Sequence, residues 1–175
     1  MRTPLDFPRA PTREGWARLT EAQRAEVVSN LPDEVTEAEL SPTEGDAHFS
    51  ARLSALDVLR RYFGSVHRWV YLSAELPVYY PGERRFAPDL LAVLDVPTHA
   101  RGKWVVTAEG KGLDLVLEVH VGGDRRKDAE RNVAWYAHLG IREYFILDVA
   151  RRLVLGLRLP NPAAQVYEPI APQDV

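Results

Sequence analysis

Ionisable residues interrupt two strongly apolar stretches of this chain, and three of them could do chemistry. Asp89 lies early in FAPDLLAVLDV, and Glu118 and His120 close the run LDLVLEVH just before two glycines. Alternate side chains of a strand share a face, so Glu118 and His120 point one way while Leu117 and Val119 face the core. Ionisable groups at the carboxyl end of a buried strand are typical of a ligand site in α/β proteins.

Neighbouring strands would bring Asp89 and Glu118 together. Two carboxylates in an apolar setting repel each other and are costly to desolvate, so such a pair usually needs a cation. The chain has no cysteine, so the ligands must be oxygen or nitrogen atoms. Mg²⁺ or Mn²⁺ fits this set, because these ions take one or two carboxylates and retain waters for chemistry on phosphate. The open alternative is that each acid pairs with an arginine.

Composition limits the classes of protein that remain. A net charge of −3 and a pI of about 6.0 argue against a protein that coats nucleic acid, although they leave room for a local basic groove. Of 22 basic residues only Lys103, Lys111 and Lys127 are lysines. The apolar runs are too short to span a bilayer and the amino end does not resemble a signal peptide, so we expect a soluble, cytoplasmic protein.

The elements that must position these residues form an α/β pattern. Helical periodicity predicts one helix within residues 12–32 and a second within 41–64, with a stripe of Phe49, Leu53, Leu56, Leu59 and Phe63. Strand-like segments follow at 67–80, 86–96 and 113–121, with a long loop over 97–112. A helix capped by Asp124 and ended by Gly140, then two strands, complete the order. We expect a mixed β-sheet flanked by helices.

The predicted organisation has three parts. Residues 1–40 form an amino-terminal helical extension, residues 41–160 the core, and residues 161–175 a tail. No internal repeat divides the chain further.

Two segments resemble a known family. They are FAPDLLAV and EGKGLDLVLEVHVGGDRRKDAERNVAWYAHLGIREYFILD, which contain Pro88-Asp89 and Glu118-Val119-His120. The sequence resembles the PD-(D/E)xK nuclease superfamily, with its restriction-endonuclease-like fold. More narrowly it is similar to the Uma-two (Uma2) family of putative restriction endonucleases, from about Ser41 to Leu159.

The resemblance implies a metal-dependent phosphodiesterase that acts on DNA. Asp89 and Glu118 would bind Mg²⁺ or Mn²⁺, and the carbonyl of Val119 would add a third ligand. Water would attack the phosphorus while the metal neutralised charge on the phosphate. Enzymes of this superfamily often dimerise to place two sites on two strands, so a homodimer is expected too.

One departure concerns the catalytic lysine. Position 120, where the pattern has lysine, is His120, which can bind a metal or take a proton near neutral pH. Lys127 is the best-placed substitute for the lysine charge, and Asn132 occupies the place of another lysine common in the family. Two alternatives therefore remain: a catalytically degenerate domain with a structural or interaction role, and a hydrolase of small phosphodiesters.

Several lesser candidates have both a functional and a structural interpretation. Arg125, Arg126 and Lys127 either contact phosphate or form a solvated helix face. Asp128 either interacts favourably with the dipole of its helix as a first-turn acid or supports the metal site. Glu44 either caps the following helix or contributes a further carboxylate to the site.

Histidine and arginine candidates remain outside the strands. His48 resembles a histidine frequent in the family, but it falls off the Phe49 stripe, which favours a surface position. Arg84 and Arg85 contact phosphate or keep a turn soluble. The large aromatics are expected to pack in the core and not to stack on bases: Trp69, Trp104, Trp135, Tyr136 and Phe145.

Overall fold

A computed structural model describes residues 8–34, 45–122 and 126–171, with the backbone alone at 126–130. Glu44, Asp124 and Arg125 therefore lie outside the described residues. The helices are α1 (Arg13–Ala17), α2 (Glu21–Asn30), α3 (Gly45–Ser65), α4 (Val106–Glu109) and α5 (Arg126–His138). The strands are β1 (Val70–Ser73), β2 (Val78–Tyr79), β3 (Leu90–Leu94), β4 (Trp104–Val105), β5 (Leu115–His120), β6 (Glu143–Asp148), β7 (Leu153–Arg158) and β8 (Glu168–Pro169).

A six-stranded mixed sheet forms the centre of the fold, in the order β1-β3-β5-β6-β7-β8. Strands β5 and β6 run parallel, as expected of strands joined by a helical crossover through α5, and the other neighbouring pairs are antiparallel. A second sheet pairs β2 with β4. The α/β class with a mixed sheet and flanking helices is confirmed.

Helices cover both faces of β5, which explains its apolar sequence. Leu115, Leu117 and Val119 pack on one face against α3. On the other face Val116 packs in a cluster with Tyr136 of α5. A strand enclosed in this way has no solvent for a charged side chain, so Glu118 requires partners from the protein or a ligand.

The packing face of α3 differs from the predicted stripe. Phe49 is 53% exposed and Leu53 is largely exposed too. Leu56 and Leu59 of the stripe do pack against the sheet and Phe63 is buried, but Ala51 and Ala55 take the inward positions expected of Phe49 and Leu53. Small side chains allow a helix to approach a sheet closely. With Ala51 and Ala55 facing the sheet, α3 is rotated about its axis relative to the predicted orientation, and His48 turns inward.

The amino-terminal segment forms two helices where one was predicted. Thr20 interrupts the run because its side chain and that of Gln23 form a capping box that starts α2. Val27 and Val28 of α2 pack with Tyr79 and Val105 of the two-stranded sheet. The segment therefore stabilises that sheet, and the domain boundaries at 40 and 160 stay predictions.

The segment predicted as a loop over 97–112 contains β4 and α4. Trp104 is fully buried and its indole N–H donates to the carbonyl of Lys111 at 2.9 Å, which closes the segment on itself. In the part of the chain that the structure describes, no helix has both the length and the apolar character needed to cross a membrane.

Candidate active site

Strand register brings the two candidate carboxylates together. Leu90 of β3 is paired with Leu117 of β5, so Asp89, one residue before β3, lies across from Glu118. The backbone N–H of Val119 donates to Oδ2 of Asp89 at 2.7 Å. In return, the backbone N–H of Asp89 donates to Oε2 of Glu118 at 3.4 Å. Each acid is thus bonded to the strand that carries the other.

Both carboxylates are almost wholly buried, with exposures of 4% for Asp89 and 7% for Glu118. The hydroxyl of Tyr136, on α5, donates to Oε1 of Glu118 at 2.6 Å. Burial, and then the negative charge of Asp89, raise the pKa of Glu118 to about 8, although the hydrogen bond from Tyr136 opposes that shift. Burial also raises the pKa of the Tyr136 hydroxyl, which stays protonated and donates.

His48 belongs to this site, which corrects the surface position expected for it. Its side chain is 7% exposed, and its Nε2 lies 3.2 Å from Oδ1 of Asp89. That nitrogen makes no aligned hydrogen bond with the described residues. The rotation of α3 explains the error, because the Ala51 and Ala55 face carries His48 to the sheet. The two alanines one turn apart were the available signal.

The remaining predicted site residues are placed less completely. His120 is half-buried at the end of β5, two residues beyond Glu118 and on the same side of the strand. Lys127, Arg126 and Asp128 lie in the first turn of α5, and their side chains are outside what the structure describes. Asn132 is half-buried in α5 near Tyr144.

The ligand atoms of this site suit a hard cation that keeps some of its waters better than a cation that is surrounded entirely by protein ligands. Among the described residues no three His, Asp or Glu side chains form a metal-binding group by themselves. Mg²⁺ needs only one or two carboxylates, because waters complete its shell. Among the described side chains, neither carboxylate pairs with a lysine or an arginine. The alternative in which arginines neutralise the acids is therefore not found in the described residues.

Two arginine candidates have structural contacts. Arg85, expected at the surface, is buried, and its Nη1 donates to the hydroxyl of Tyr79 at 3.1 Å. The guanidinium of exposed Arg84 lies 4.5 Å from the centre of the Trp135 ring. Trp69, expected in the core, is 72% exposed, because it precedes β1 at the end of the sheet away from Asp89. Tyr136 packs in the core as predicted, but its bond to Glu118 was missed.

Comparisons with known proteins agree with this fold. Residues 16–174 match the model of the Uma2 family, described as putative restriction endonuclease. A crystal structure of a putative nuclease belonging to DUF820 from Anabaena variabilis ATCC 29413 is similar, with a TM-score of 0.56 and 15% identity over 73% of this chain and 69% of that one. No curated protein matches the chain.

The chain therefore belongs to the Uma2 family of putative restriction endonucleases. The match extends beyond the segment from Ser41 to Leu159 that carries the resemblance, into both flanking regions. Family membership and fold together place the chain among nuclease-like proteins.

Proposed function

We propose that this protein is a metal-dependent endonuclease that hydrolyses phosphodiester bonds in DNA. The observation that carries the proposal is the buried pair of Asp89 and Glu118, which lacks a lysine or arginine partner among the described side chains. Burying two such groups side by side is unfavourable unless a cation offsets their charge. Membership in a family of putative restriction endonucleases supports the choice of substrate.

Asp89 and Glu118 would hold Mg²⁺ or Mn²⁺ through their carboxylate oxygens. The carbonyl of Val119 is the proposed third ligand: its amide faces Asp89, and in a strand the N–H and C=O of one residue point the same way. When bound, the metal supplies charge neutralisation for the phosphate in the transition state. The buried setting strengthens each electrostatic interaction there.

His120 and Lys127 have distinct proposed roles. A ring nitrogen of His120 would bind the metal or accept the proton of the attacking water, since it follows Glu118 on the same side of β5. Lys127 would supply the positive charge that the family pattern places at position 120. Its position in the first turn of α5, seven residues after the end of β5, supports this role.

The direct test is cleavage of supercoiled plasmid and of single-stranded DNA with Mg²⁺ or Mn²⁺. We expect metal-dependent nicking that chelation abolishes and that falls at least about 100-fold in Glu118→Gln, since the metal loses a ligand. Glu168→Gln is the matched control, because Glu168 is exposed on β8. Equal cleavage by the wild type and Glu118→Gln would refute the proposal.

A catalytically degenerate domain is the second candidate. Histidine at position 120, where the family pattern has lysine, and the net charge of −3 favour it. Equal, negligible cleavage by the wild type and Glu118→Gln would support this alternative, whereas tight Mn²⁺ binding with Asp89 intact would count against it. Cleavage that depends on Glu118 would exclude it.

We also propose that the protein acts as a homodimer, because two sites allow both strands of a duplex to be cut in one binding event. Sedimentation equilibrium at micromolar concentration is expected to give twice the chain mass of 19.8 kDa. A monomer that nicks one strand at a time would contradict the dimer without affecting the cleavage chemistry.

A further inference from the structure

We infer that Tyr136 is a positioning residue that fixes the orientation of the Glu118 carboxylate for metal binding. The inference rests on the proposed metal site and extends it to the helix on the other side of the sheet from α3. Tyr136 lies within α5, and its hydroxyl makes the short 2.6 Å bond to Oε1 of Glu118. It would act through Glu118 and would not contact the substrate.

The two oxygens of Glu118 have different surroundings. Oε1 accepts the tyrosine hydroxyl, whereas Oε2 faces the start of β3, with the amide of Asp89 at 3.4 Å. That amide contact is long, so the tyrosine bond is the stronger of the two restraints on the carboxylate plane. Holding Oε1 on the α5 side leaves Oε2 directed toward Asp89. With a cation bound at the proposed site, this arrangement would let both acids share it.

The tyrosine itself is held firmly. Its ring is 3% exposed and packs edge-on against Tyr144, with ring centres 5.0 Å apart. The ring also stacks with Trp135 and lies tilted against Phe86. A ring locked by packing positions its hydroxyl with little freedom, which is how supporting residues orient metal ligands. The fixed hydroxyl therefore determines the orientation of the Glu118 carboxylate, and the carboxylate does not determine the position of the hydroxyl.

Tyr144 provides a matched control from the same cluster. It is fully buried, contacts Tyr136, and its hydroxyl lies near Asn132 and makes no hydrogen bond to Glu118. Removing either hydroxyl deletes one oxygen atom from the same core. Only the change at Tyr136 removes a bond to Glu118.

The experiment measures Mn²⁺ affinity by electron paramagnetic resonance for the wild type, Tyr136→Phe and Tyr144→Phe. Loss of a partner that orients a metal ligand typically weakens affinity about 10- to 100-fold, which we expect for Tyr136→Phe. We expect Tyr144→Phe to change affinity less than about 3-fold, and thermal melts to check that both variants fold. Cleavage by Tyr136→Phe should recover at saturating Mn²⁺, a response that a purely structural defect would not give.

The outcomes separate this inference from the proposed function. Wild-type affinity in Tyr136→Phe, or an equal loss in both variants, would overturn the positioning role while the metal site stands. Absence of Mn²⁺ binding by the wild type would overturn both.

A wild-type measurement keeps the inference testable if Tyr136→Phe does not fold. The proton of the Tyr136 hydroxyl should give a downfield nuclear magnetic resonance signal that shifts when Mg²⁺ is added. A signal that Mg²⁺ leaves unchanged, in a protein that binds the ion, would overturn the inference.

Discussion

At the scale of single residues, the setting of Glu118 penalises its charged form. The side chain is buried between the sheet and α5, and Asp89 lies beside it at the start of the neighbouring strand. Its pKa rises from 4.5 to about 8, first through burial and then through the charge of Asp89. A proton or a cation must therefore accompany this carboxylate at neutral pH.

The stability of the metal-free protein should fall as the pH rises from about 4.5 to about 8. Over that window folded Glu118 retains a proton that the unfolded chain has lost, so each rise in pH favours unfolding. Glu118→Gln has no such proton-linked loss, so its free energy of unfolding should rise relative to that of the wild type as the pH increases. At 1.36 kcal/mol per pKa unit, the relative increase is at most roughly 5 kcal/mol. Urea denaturation in chelator at several pH values measures the difference.

Glu168→Gln serves as the control, because Glu168 is exposed on β8. A stability difference between Glu118→Gln and the wild type that does not change with pH would contradict the buried, proton-linked state of Glu118.

Residue types and strand alternation predicted from sequence that the two acids of the candidate site would lie together. Asp89 and Glu118 were predictable because each is an acid inside an apolar run, where side-chain chemistry and strand alternation suffice. Tyr136 and His48 were not, because their roles depend on which helix face meets the sheet. Tyr136 on its helix gives no sign of its partner until the layers are packed, and for His48 the sequence signal was limited to the helix face marked by Ala51 and Ala55.

At the scale of elements, α2 stabilises the small β2–β4 sheet and does not contribute to the carboxylate pair. Its start depends on the capping box between Thr20 and Gln23. Thr20→Ala should therefore cost about 1 kcal/mol of stability, the usual effect of removing such a cap. Urea denaturation measures the loss, and Mn²⁺ affinity should stay within about 3-fold of the wild type, because the carboxylates are untouched.

Ser29→Ala, near the end of the same helix, is the control for Thr20→Ala. A loss of Mn²⁺ binding in Thr20→Ala would show that the amino-terminal segment helps to form the site, against this account.

The types and order of the main helices and strands could be predicted from periodicity. The rotation of each helix about its axis and the shortest elements could not. The helix over 45–65 and the strands β3, β5, β6 and β7 lie where the apolar patterns place them. The inward face of α3 was predicted only in part, because large apolar residues were weighted above the small residues Ala51 and Ala55 that permit close packing. The short β4 and α4 depend on tertiary contacts such as the buried Trp104, which local pattern does not encode.

At the scale of the whole molecule, a net charge of −3 makes DNA binding depend on a local basic surface. If DNA is the substrate, the binding step should weaken steeply with salt, because each neutralised phosphate releases counterions. We expect kcat/KM on plasmid to fall at least about 10-fold between 50 and 200 mM KCl. Hydrolysis of a small phosphodiester, with Glu118→Gln subtracted as background, should change little.

A shallow salt dependence on plasmid, together with efficient hydrolysis of the small ester, would favour the small-phosphodiester alternative over the nuclease.

The central claim is that Asp89 and Glu118 act as one metal-binding unit in phosphodiester cleavage. The most direct measurement compares Mn²⁺-dependent plasmid nicking by Asp89→Asn, by Glu118→Gln and by the double variant. Residues that act as a unit lose activity non-additively, so we expect each single change to remove nearly as much activity as both together. Substantial nicking by either single variant, or losses that multiply in the double variant, would contradict the account.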